Sequence, residues 1–240
     1  MRTHLLFYWY VPQDGWHEIY DLHLKSLRNF AWKFDHVTFV IASDGNCGDL
    51  YGKMVSDTID RLTEIAPSSD FVMYGNDKVL RESYYFRNEV ALKLGTFPDD
   101  EVVFFVHNKG VASDYVPKEE LYNWVTAMYF SNLSDFEKVL GLFEKETVCC
   151  IGTRKIVHAK PWAFLKYRWH YSGTFFWMAP RRIHKLIVDR HEEIPRNDRY
   201  FTEGFLGSVI PDSEDYSVGL PDKPFYTDAE KKEYDKIYAC

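Results

Sequence analysis

Four short, continuous apolar runs stand in the first half of the chain, separated by segments in which apolar residues recur at a helical spacing. The apolar runs are residues 5–11, 37–42, 71–74 and 102–106. The helical segments are residues 16–30, 50–65 and 80–94. Continuous apolar strands that alternate with helices are typical of a mainly parallel sheet covered on both faces. The pattern therefore predicts an α/β fold with the order β-α-β-α-β-α-β over residues 1–110.

The second half of the chain is less regular. Helices are predicted at residues 117–130 and 134–146, and the second is expected to start with an S-x-x-E capping box formed by Ser134 and Glu137. Strands are predicted at residues 148–152 and 171–178, and a short helix is expected to open at Pro180. The tail, residues 211–240, carries three prolines and predicts one more short helix. We expect residues 1–240 to form one domain.

Composition and charge narrow the classes of function. The formal net charge is -7 and no Lys/Arg-rich run occurs, which argues against a surface that binds DNA or RNA. Aromatic residues make up 18% of the chain. Some of them are expected in the core, and the others suit faces on which a sugar or a nucleobase stacks. Neither a secretory signal nor a membrane span is predicted, so we expect a soluble, cytoplasmic protein. The four cysteines lack C-x-x-C spacing and are expected to be free thiols.

Polar residues follow the second and fourth predicted strands directly, at the sheet edge where ligands bind in parallel sheets. Asp44 can accept hydrogen bonds from a nucleoside. The alternative is an ordinary Asp-Gly turn, in which aspartate is favoured for purely local reasons. In His107-Asn108-Lys109-Gly110, His107 and Lys109 share a face and can hold phosphate, and the imidazole can also bind a metal. Gly110 permits close approach of a ligand. The same four residues also suit an ordinary exit from a strand into a loop.

Residues 169–177 combine aromatic rings, hydroxyl groups and a central glycine. The candidates for contact with a ligand are His170, Ser172, Thr174 and Trp177. Gly173 suggests close approach of a ligand or of another backbone. The alternative is a core strand with a bulge at Gly173.

Glu203 stands among small and apolar residues, shortly after Arg196 and Arg199. A carboxylate near the carboxyl edge of the sheet can take the proton from an attacking hydroxyl group. The alternative is a glutamate in the first turn of a helix capped by Thr202, where the helix dipole favours a negative charge.

The order of these motifs resembles that of GT-A glycosyltransferases over residues 3–210. More narrowly, the chain is similar to small bacterial and viral glycosyltransferases that have an H-x-K-G turn, a later tryptophan and an H-[FY]-S-G-x-[FY]-[FW]-W strand. The matching residues are His107-Asn108-Lys109-Gly110, Trp124 and His170-Tyr171-Ser172-Gly173-Thr174-Phe175-Phe176-Trp177. Arg87-Asn88, within Tyr-Tyr-Phe-Arg-Asn-Glu, matches an element that usually precedes the fourth strand of that fold.

The resemblance implies a transferase of glycan biosynthesis that uses a nucleotide-diphosphate sugar, with a uridine-linked donor expected, and a carbohydrate acceptor. Residues 1–110 would bind the donor, residues 111–210 would hold the acceptor and the catalytic group, and Glu203 would be the base. The implied donor-binding residues are Asp44, Arg87, Asn88, His107, Asn108, Lys109 and Gly110. The implied acceptor-binding residues are His170, Ser172, Gly173, Thr174 and Trp177.

The chain departs from the GT-A pattern at the end of the fourth strand. Most GT-A enzymes carry Asp-x-Asp there to hold Mn²⁺ or Mg²⁺, whereas this chain has His107-Asn108-Lys109. His107 is the one candidate metal ligand, and Lys109 can neutralise a diphosphate without a metal. The need for Mn²⁺ or Mg²⁺ therefore stays open, and a module that binds nucleotides or carbohydrates without turnover is the alternative function.

Overall fold

A computed structural model describes residues 1–12, 18–43, 49–108, 118–157, 167–171, 173–195 and 200–220. The strands in these ranges are β1 (Arg2–Val11), β2 (His36–Ser43), β3 (Asp70–Gly75), β4 (Glu101–His107), β5 (Cys150–Thr153), β6 (Lys155–Val157), β7 (Trp169–Tyr171), β8 (Phe176–Met178) and β9 (Ser217–Leu220). The α-helices are α1 (Glu18–Phe30), α2 (Asp49–Ile65), α3 (Glu82–Tyr85), α4 (Lys118–Leu133), α5 (Phe136–Leu142), α6 (Pro180–Arg190) and α7 (Phe201–Val209). A π-helix (Phe86–Val90) and a 3₁₀ helix (Ala91–Thr96) continue α3, and a further 3₁₀ helix (Ala31–Lys33) follows α1.

Seven strands form one sheet in the order β3-β2-β1-β4-β8-β5-β9. The pairs β1–β2, β2–β3, β1–β4 and β5–β9 are parallel, whereas β8 runs antiparallel to β4 and β5. Strands β6 and β7 form a separate antiparallel pair. This arrangement confirms the predicted mainly parallel α/β sheet and adds one antiparallel strand near its middle.

Side chains that alternate along β1 point to two different cores. Leu5, Phe7 and Trp9 pack with α1, α2, α4 and α5 on one face of the sheet. Leu6 and Tyr8 pack with residues 82–96, α6 and α7 on the other face. Because successive residues of a strand point to opposite faces, a run that is apolar at every position buries both sides. Helices cover both faces of the sheet, as predicted.

The crossover connections change face between β3 and β4. Helices α1 and α2, which connect β1 to β2 and β2 to β3, pack on one face, whereas the helical segment 82–96 that leads to β4 packs on the other. The chain thus reverses its direction across the sheet, and β1 and β4 become neighbours at the switch point of the topology. The crevice outside the carboxyl ends of these two strands is where ligands bind in such sheets.

Several predicted elements differ from those observed. The capping box at Ser134 is wrong: the backbone N–H of Ser134 still bonds to Phe130 in the last turn of α4, and α5 begins at Phe136 after Asp135, without a side-chain cap. The predicted strand 171–178 is divided into β7 and β8. Helix 80–94 is divided into α, π and 3₁₀ segments.

The described part of the predicted tail belongs to the sheet, because β9 pairs with β5 at its edge. The predicted helix in the tail lies outside the described residues. Cys149 and Cys150 are buried free thiols, and burial raises the pKa of the Cys149 thiol to about 11. Within the described helices, none combines the length and the apolar character that crossing a membrane requires.

Candidate functional site

Asn108 extends the pairing of β1 and β4 beyond the last residue of β4. Its side-chain oxygen accepts a hydrogen bond from the backbone N–H of Tyr10 at 2.9 Å, and its Nδ2 donates to the carbonyl oxygen of Tyr10 at 2.8 Å. Its backbone N–H donates to the carbonyl oxygen of Tyr8 at 3.3 Å. The side-chain amide thus takes the place of a strand residue, and its oxygen and one of its N–H groups are engaged with the backbone.

His107 lies at the carboxyl end of β4, opposite Tyr8 of β1, and is buried. Its Nδ1 is 3.4 Å from Oε1 of Glu82, at the start of α3. The hydroxyl oxygen of Thr174, in the turn before β8, is 3.5 Å from both ring nitrogens. One imidazole therefore contacts side chains from two other segments of the chain, a carboxylate on α3 and a hydroxyl group next to β8.

The turn at Gly173 and Thr174 has a left-handed backbone at both residues, with φ values of 84° and 55°. A Cβ atom at Gly173 would lie 2.0 Å from Cζ2 of Trp124, so only glycine fits beneath that indole. Thr174 is β-branched and fully buried, and a positive φ is a strained conformation for such a residue. Because the Trp124 indole packs directly on Gly173, the glycine and the tryptophan of the sequence motif depend on each other sterically. The same turn brings the Thr174 hydroxyl group to the ring of His107.

Glu82 is placed by a tight turn after β3. The Asp77 carboxylate accepts hydrogen bonds from the backbone N–H groups of Val79 and Leu80 at 2.9 Å and 2.7 Å. The next residue, Arg81, donates its N–H to the Asp77 carbonyl at 2.7 Å and has a φ of 51°, unfavourable for a residue with a side chain. The turn ends at Glu82, the first residue of α3.

A hydroxyl contact joins α3 to α7. The backbone N–H and the hydroxyl group of Thr202 lie 3.2 Å and 3.1 Å from the hydroxyl oxygen of Ser83. Ser83 follows Glu82, and Glu203 follows Thr202 in the first turn of α7. The side chain of Glu203 is partly buried. The two glutamates thus flank one interhelical contact, and the role of Glu203 as a base stays a prediction.

Arg87 and Asn88 lie in the π-helix, a rare helix type that is frequent at functional sites. The Arg87 Nη1 donates to the side-chain oxygen of Asn88 at 3.4 Å. The Arg87 Nε is buried and has no hydrogen-bond partner among the residues that the structure describes. A buried guanidinium donor without a partner is costly unless a ligand satisfies it.

Phenol groups surround this segment. Burial raises the pKa of Tyr85, and it is also the main cause that raises the pKa of Tyr74, whose side chain bonds to Asn88. Tyr8 donates its hydroxyl hydrogen to the side-chain oxygen of Asn76 at 3.1 Å, where the chain leaves β3. Both Tyr74 and Tyr85 therefore stay protonated at neutral pH and can act as hydrogen-bond donors.

Two residues of the predicted acceptor set, Trp177 and His170, make contacts outside the His107 cluster. Trp177 has no exposed surface, stacks on Phe34 at 5.5 Å between ring centroids, and donates its indole N–H to the carbonyl oxygen of Asn132 at 3.1 Å. Trp177 is thus a core residue, as alternation along β8 requires, and in this structure it offers no surface to an acceptor. His170 lies on β7 opposite Ile156 of β6, outside the main sheet.

Four predicted site residues, Asp44, Lys109, Gly110 and Ser172, lie outside the described residues. Within the described ranges, no group of three or more His, Cys, Asp or Glu side chains is arranged to hold a metal ion. The oxygen of Asn108, the middle residue of His107-Asn108-Lys109, is already bonded to the Tyr10 N–H. The described residues therefore do not fit a metal site.

The solved structures described below resemble this chain at low sequence identity. No protein-family model matches the chain, and no curated protein matches it. Among solved structures, a 4-diphosphocytidyl-2C-methyl-D-erythritol synthase is 12% identical with a TM-score of 0.39, and the match covers 100% of both chains. A mannosyltransferase from Pyrobaculum calidifontis, in complex with GDP-Man and Mn²⁺, is 13% identical with a TM-score of 0.38, over 93% of this chain and 58% of that one. Core-mannan synthase A from Aspergillus fumigatus, in its Mn/GDP form, is 11% identical with a TM-score of 0.36, over 98% and 85%.

At these scores, the likeness carries no conclusion about the activity of this chain.

The residue that the sequence did not single out is Glu82. An acidic residue at the start of a predicted helix has an ordinary explanation, the helix dipole, so its type and position gave no separate signal. Its contact with His107 depends on how α3 packs against the end of β4 and becomes visible only in the fold.

Proposed function

We propose that this chain is a glycosyltransferase that moves a sugar from a nucleotide-diphosphate sugar to a carbohydrate or glycan acceptor. The observation that carries the proposal is the cluster of Glu82 with the buried residues His107 and Thr174 at the carboxyl ends of β1 and β4. This is the switch point of the sheet, where proteins of this architecture bind nucleotides. The resemblance of the H-x-K-G and H-Y-S-G strings to GT-A enzymes supports the choice of a sugar donor.

Arg87 and Lys109 are the cations that we assign to the diphosphate of the donor. The buried Nε of Arg87 supports this assignment, because a guanidinium pairs with phosphate oxygens through parallel hydrogen bonds. Asp44, after β2, is assigned to the nucleoside, and a uridine nucleotide is the expected class. His170, Ser172, Gly173 and Thr174 are assigned to the acceptor side of the site.

In the proposed reaction, Glu203 takes the proton from an acceptor hydroxyl group while that oxygen bonds to the anomeric carbon. The bond from the anomeric carbon to the diphosphate oxygen breaks, and its electron pair leaves with the diphosphate. Arg87 and Lys109 stabilise the negative charge that develops there. The assignment of Glu203 belongs to an inverting reaction, since a retaining reaction requires no single base.

The experiment that tests the function is a thermal-shift and hydrolysis screen with uridine-, guanosine- and thymidine-diphosphate sugars, each with and without Mn²⁺. A transferase is expected to be stabilised by one nucleotide class, by mass action, and to release its diphosphate slowly by transfer of the sugar to water. A dependence of either signal on Mn²⁺ would show that a metal takes part. No stabilisation and no release with any donor would contradict the proposal.

Glu203→Gln is expected to reduce transfer by about 10²-fold or more, since general-base catalysis contributes on that order. Donor affinity and folding are expected to stay unchanged. Glu137→Gln is the matched control, because Glu137 occupies the first turn of α5 and is exposed. Turnover by Glu203→Gln close to that of the wild type would remove Glu203 from the mechanism.

A binding module without turnover is the second candidate function. One observation favours it: His107-Asn108-Lys109 stands where most GT-A enzymes carry Asp-x-Asp, and its middle residue, Asn108, is engaged with the backbone of Tyr10. Such a module would be stabilised by nucleotide or sugar but would release no diphosphate. The hydrolysis arm of the screen therefore separates the two functions.

A further inference from the structure

The imidazole of His107 is held between a carboxylate and a hydroxyl group. Glu82 lies 3.4 Å from Nδ1, and the Thr174 hydroxyl lies 3.5 Å from either nitrogen. The side chains of His107 and Glu82 are only 10% and 17% exposed. In such surroundings a polar contact orients a side chain more strongly than it does in water.

Strained backbone conformations occur at or next to both partners of His107, Glu82 and Thr174. Among the described residues other than glycine, those with a positive φ are Arg81, Arg154, Thr174 and His191. Arg81 directly precedes Glu82, and Thr174 itself contacts the ring of His107. Backbone strain persists only where the surrounding structure determines the conformation, and it concentrates at functional sites. The fold thus fixes both neighbours of one imidazole at an energetic cost.

The Glu82 carboxylate lies closest to one particular nitrogen of the His107 ring, Nδ1, at 3.4 Å. An ionised carboxylate only accepts hydrogen bonds, so this placement favours hydrogen on Nδ1. In the neutral ring the other nitrogen, Nε2, is then an acceptor. A carboxylate beside the ring also makes this part of the site unfavourable for the negatively charged diphosphate. An acceptor nitrogen in these surroundings suits a hydroxyl group.

We propose that Glu82 is a positioning residue that keeps His107 in the Nδ1–H tautomer, so that Nε2 accepts a hydrogen bond from a hydroxyl group of the donor. The hydroxyl group belongs either to the ribose or to the transferred sugar. His107 thereby reads the carbohydrate part of the nucleotide sugar, and the diphosphate is left to Arg87 and Lys109. The part of this inference that concerns the ligand rests on the proposed function.

The tautomer is measured without any ligand, by long-range ¹H–¹⁵N correlation spectra of the histidine rings under mildly alkaline conditions. The wild type is expected to show His107 with hydrogen on Nδ1. Glu82→Met is expected to reduce that population, and Glu82→Gln, which keeps an acceptor oxygen, is expected to restore it. Glu89→Gln is the matched control, because Glu89 lies on the same helical segment and pairs with Lys93. An Nε2–H tautomer in the wild type would overturn the proposal even if Glu82→Met fails to fold.

The ligand is tested by measuring how tightly the wild type, Glu82→Met and His107→Leu bind pyrophosphate, UDP and UDP-glucose. If the screen selects guanosine or thymidine, the corresponding nucleoside diphosphate and its sugar conjugate replace UDP and UDP-glucose. Neither variant is expected to weaken pyrophosphate binding, and both are expected to weaken binding of the hydroxyl-bearing ligands by about threefold to tenfold, the loss of one hydrogen bond. Weaker binding of both UDP and UDP-glucose identifies a ribose hydroxyl group as the partner of His107. Weaker binding of UDP-glucose alone identifies a hydroxyl group of the transferred sugar. Equal weakening of all three ligands would overturn the proposal. Absence of any nucleotide binding would overturn the proposed function and leave the tautomer result standing.

Discussion

Asn108 determines how β1 and β4 end. Its side chain satisfies both the N–H and the carbonyl group of Tyr10, and only 5% of the residue is exposed. Buried backbone groups need partners, and here a side chain supplies them where the strand pairing stops. The middle residue of His107-Asn108-Lys109 is therefore part of the sheet in this chain.

Asn108→Asp tests this role of the side chain. The change removes the N–H donor to Tyr10 and sets a carboxylate against its carbonyl oxygen, so we expect the free energy of unfolding to fall by about 2–4 kcal/mol. Urea denaturation measures the loss. The control is Asn29→Asp, because Asn29 also donates to a backbone carbonyl, that of Lys25, but from a partly exposed site. A loss below about 1 kcal/mol is expected for the control. Equal losses would contradict the structural role of Asn108.

At the scale of elements, α7 lies against β7 with almost no space between them. A Cβ atom at Gly207 would lie 1.6 Å from the carbonyl oxygen of Trp169, and one at Gly204 would lie 2.0 Å from the ring of Tyr167. Gly207 thus permits backbone-to-backbone contact, and Gly204 leaves room for the Tyr167 ring. This close packing fixes the position of α7, and with it the first turn that carries Glu203.

Gly207→Ala is expected to destabilise the fold by about 2–4 kcal/mol, because a backbone carbonyl cannot yield as a flexible side chain can. Gly141→Ala is the matched control, since Gly141 lies in α5 with open space around it. There, alanine is expected to stabilise the protein by about 0.5–1 kcal/mol, since it restricts the unfolded chain and favours the helix. Thermal or urea unfolding of the pair gives both values. A Gly207→Ala protein as stable as the wild type would show that α7 is not held in this way.

Strands β1, β2 and β4 were predictable because strands buried on both faces are apolar at every position, whereas β3, also predicted from its apolar run, is an exposed edge strand. The prediction of residues 37–42 for β2 (His36–Ser43) shows how closely that signal marks a strand. The signal fails for β6 and β9, which are short and partly exposed, and for residues 171–178, where Gly173 and Thr174 turn the chain. Periodicity also cannot separate α from π geometry, so the division of helix 80–94 was not visible.

The location of His107 and Asn108 at the carboxyl edge was predictable for a related reason. Residues that directly follow a strand, such as His107 and Asn108, are brought to the carboxyl edge by the strand itself. Contacts between distant segments, such as that of Glu82 with His107, depend on the packing of α3 and carry no local signal. Trp177 shows the converse, since its motif suggested an acceptor contact while strand alternation directs it into the core.

At the scale of the whole molecule, the two edges of the sheet differ in how their polar groups are used. At the amino edge, both ring nitrogens of His4 are engaged, with Glu101 at 3.1 Å and Thr38 at 2.9 Å. At the carboxyl edge, the Arg87 Nε has no partner among the described residues, and β1 and β4 are neighbours at the switch point of the topology. The amino edge therefore stabilises the fold, and the carboxyl edge is the expected location of the ligand.

The location of the nucleotide is measured most directly by hydrogen–deuterium exchange of the backbone amides, with and without the uridine, guanosine and thymidine diphosphates. We expect one of them to slow exchange at the ends of β1 and β4, in the turn at residues 173–175 and in the first turn of α7. Contradiction would come from slowed exchange at the amino edge around His4, from slowed exchange along α1 and α2, or from no change with any of the three nucleotides.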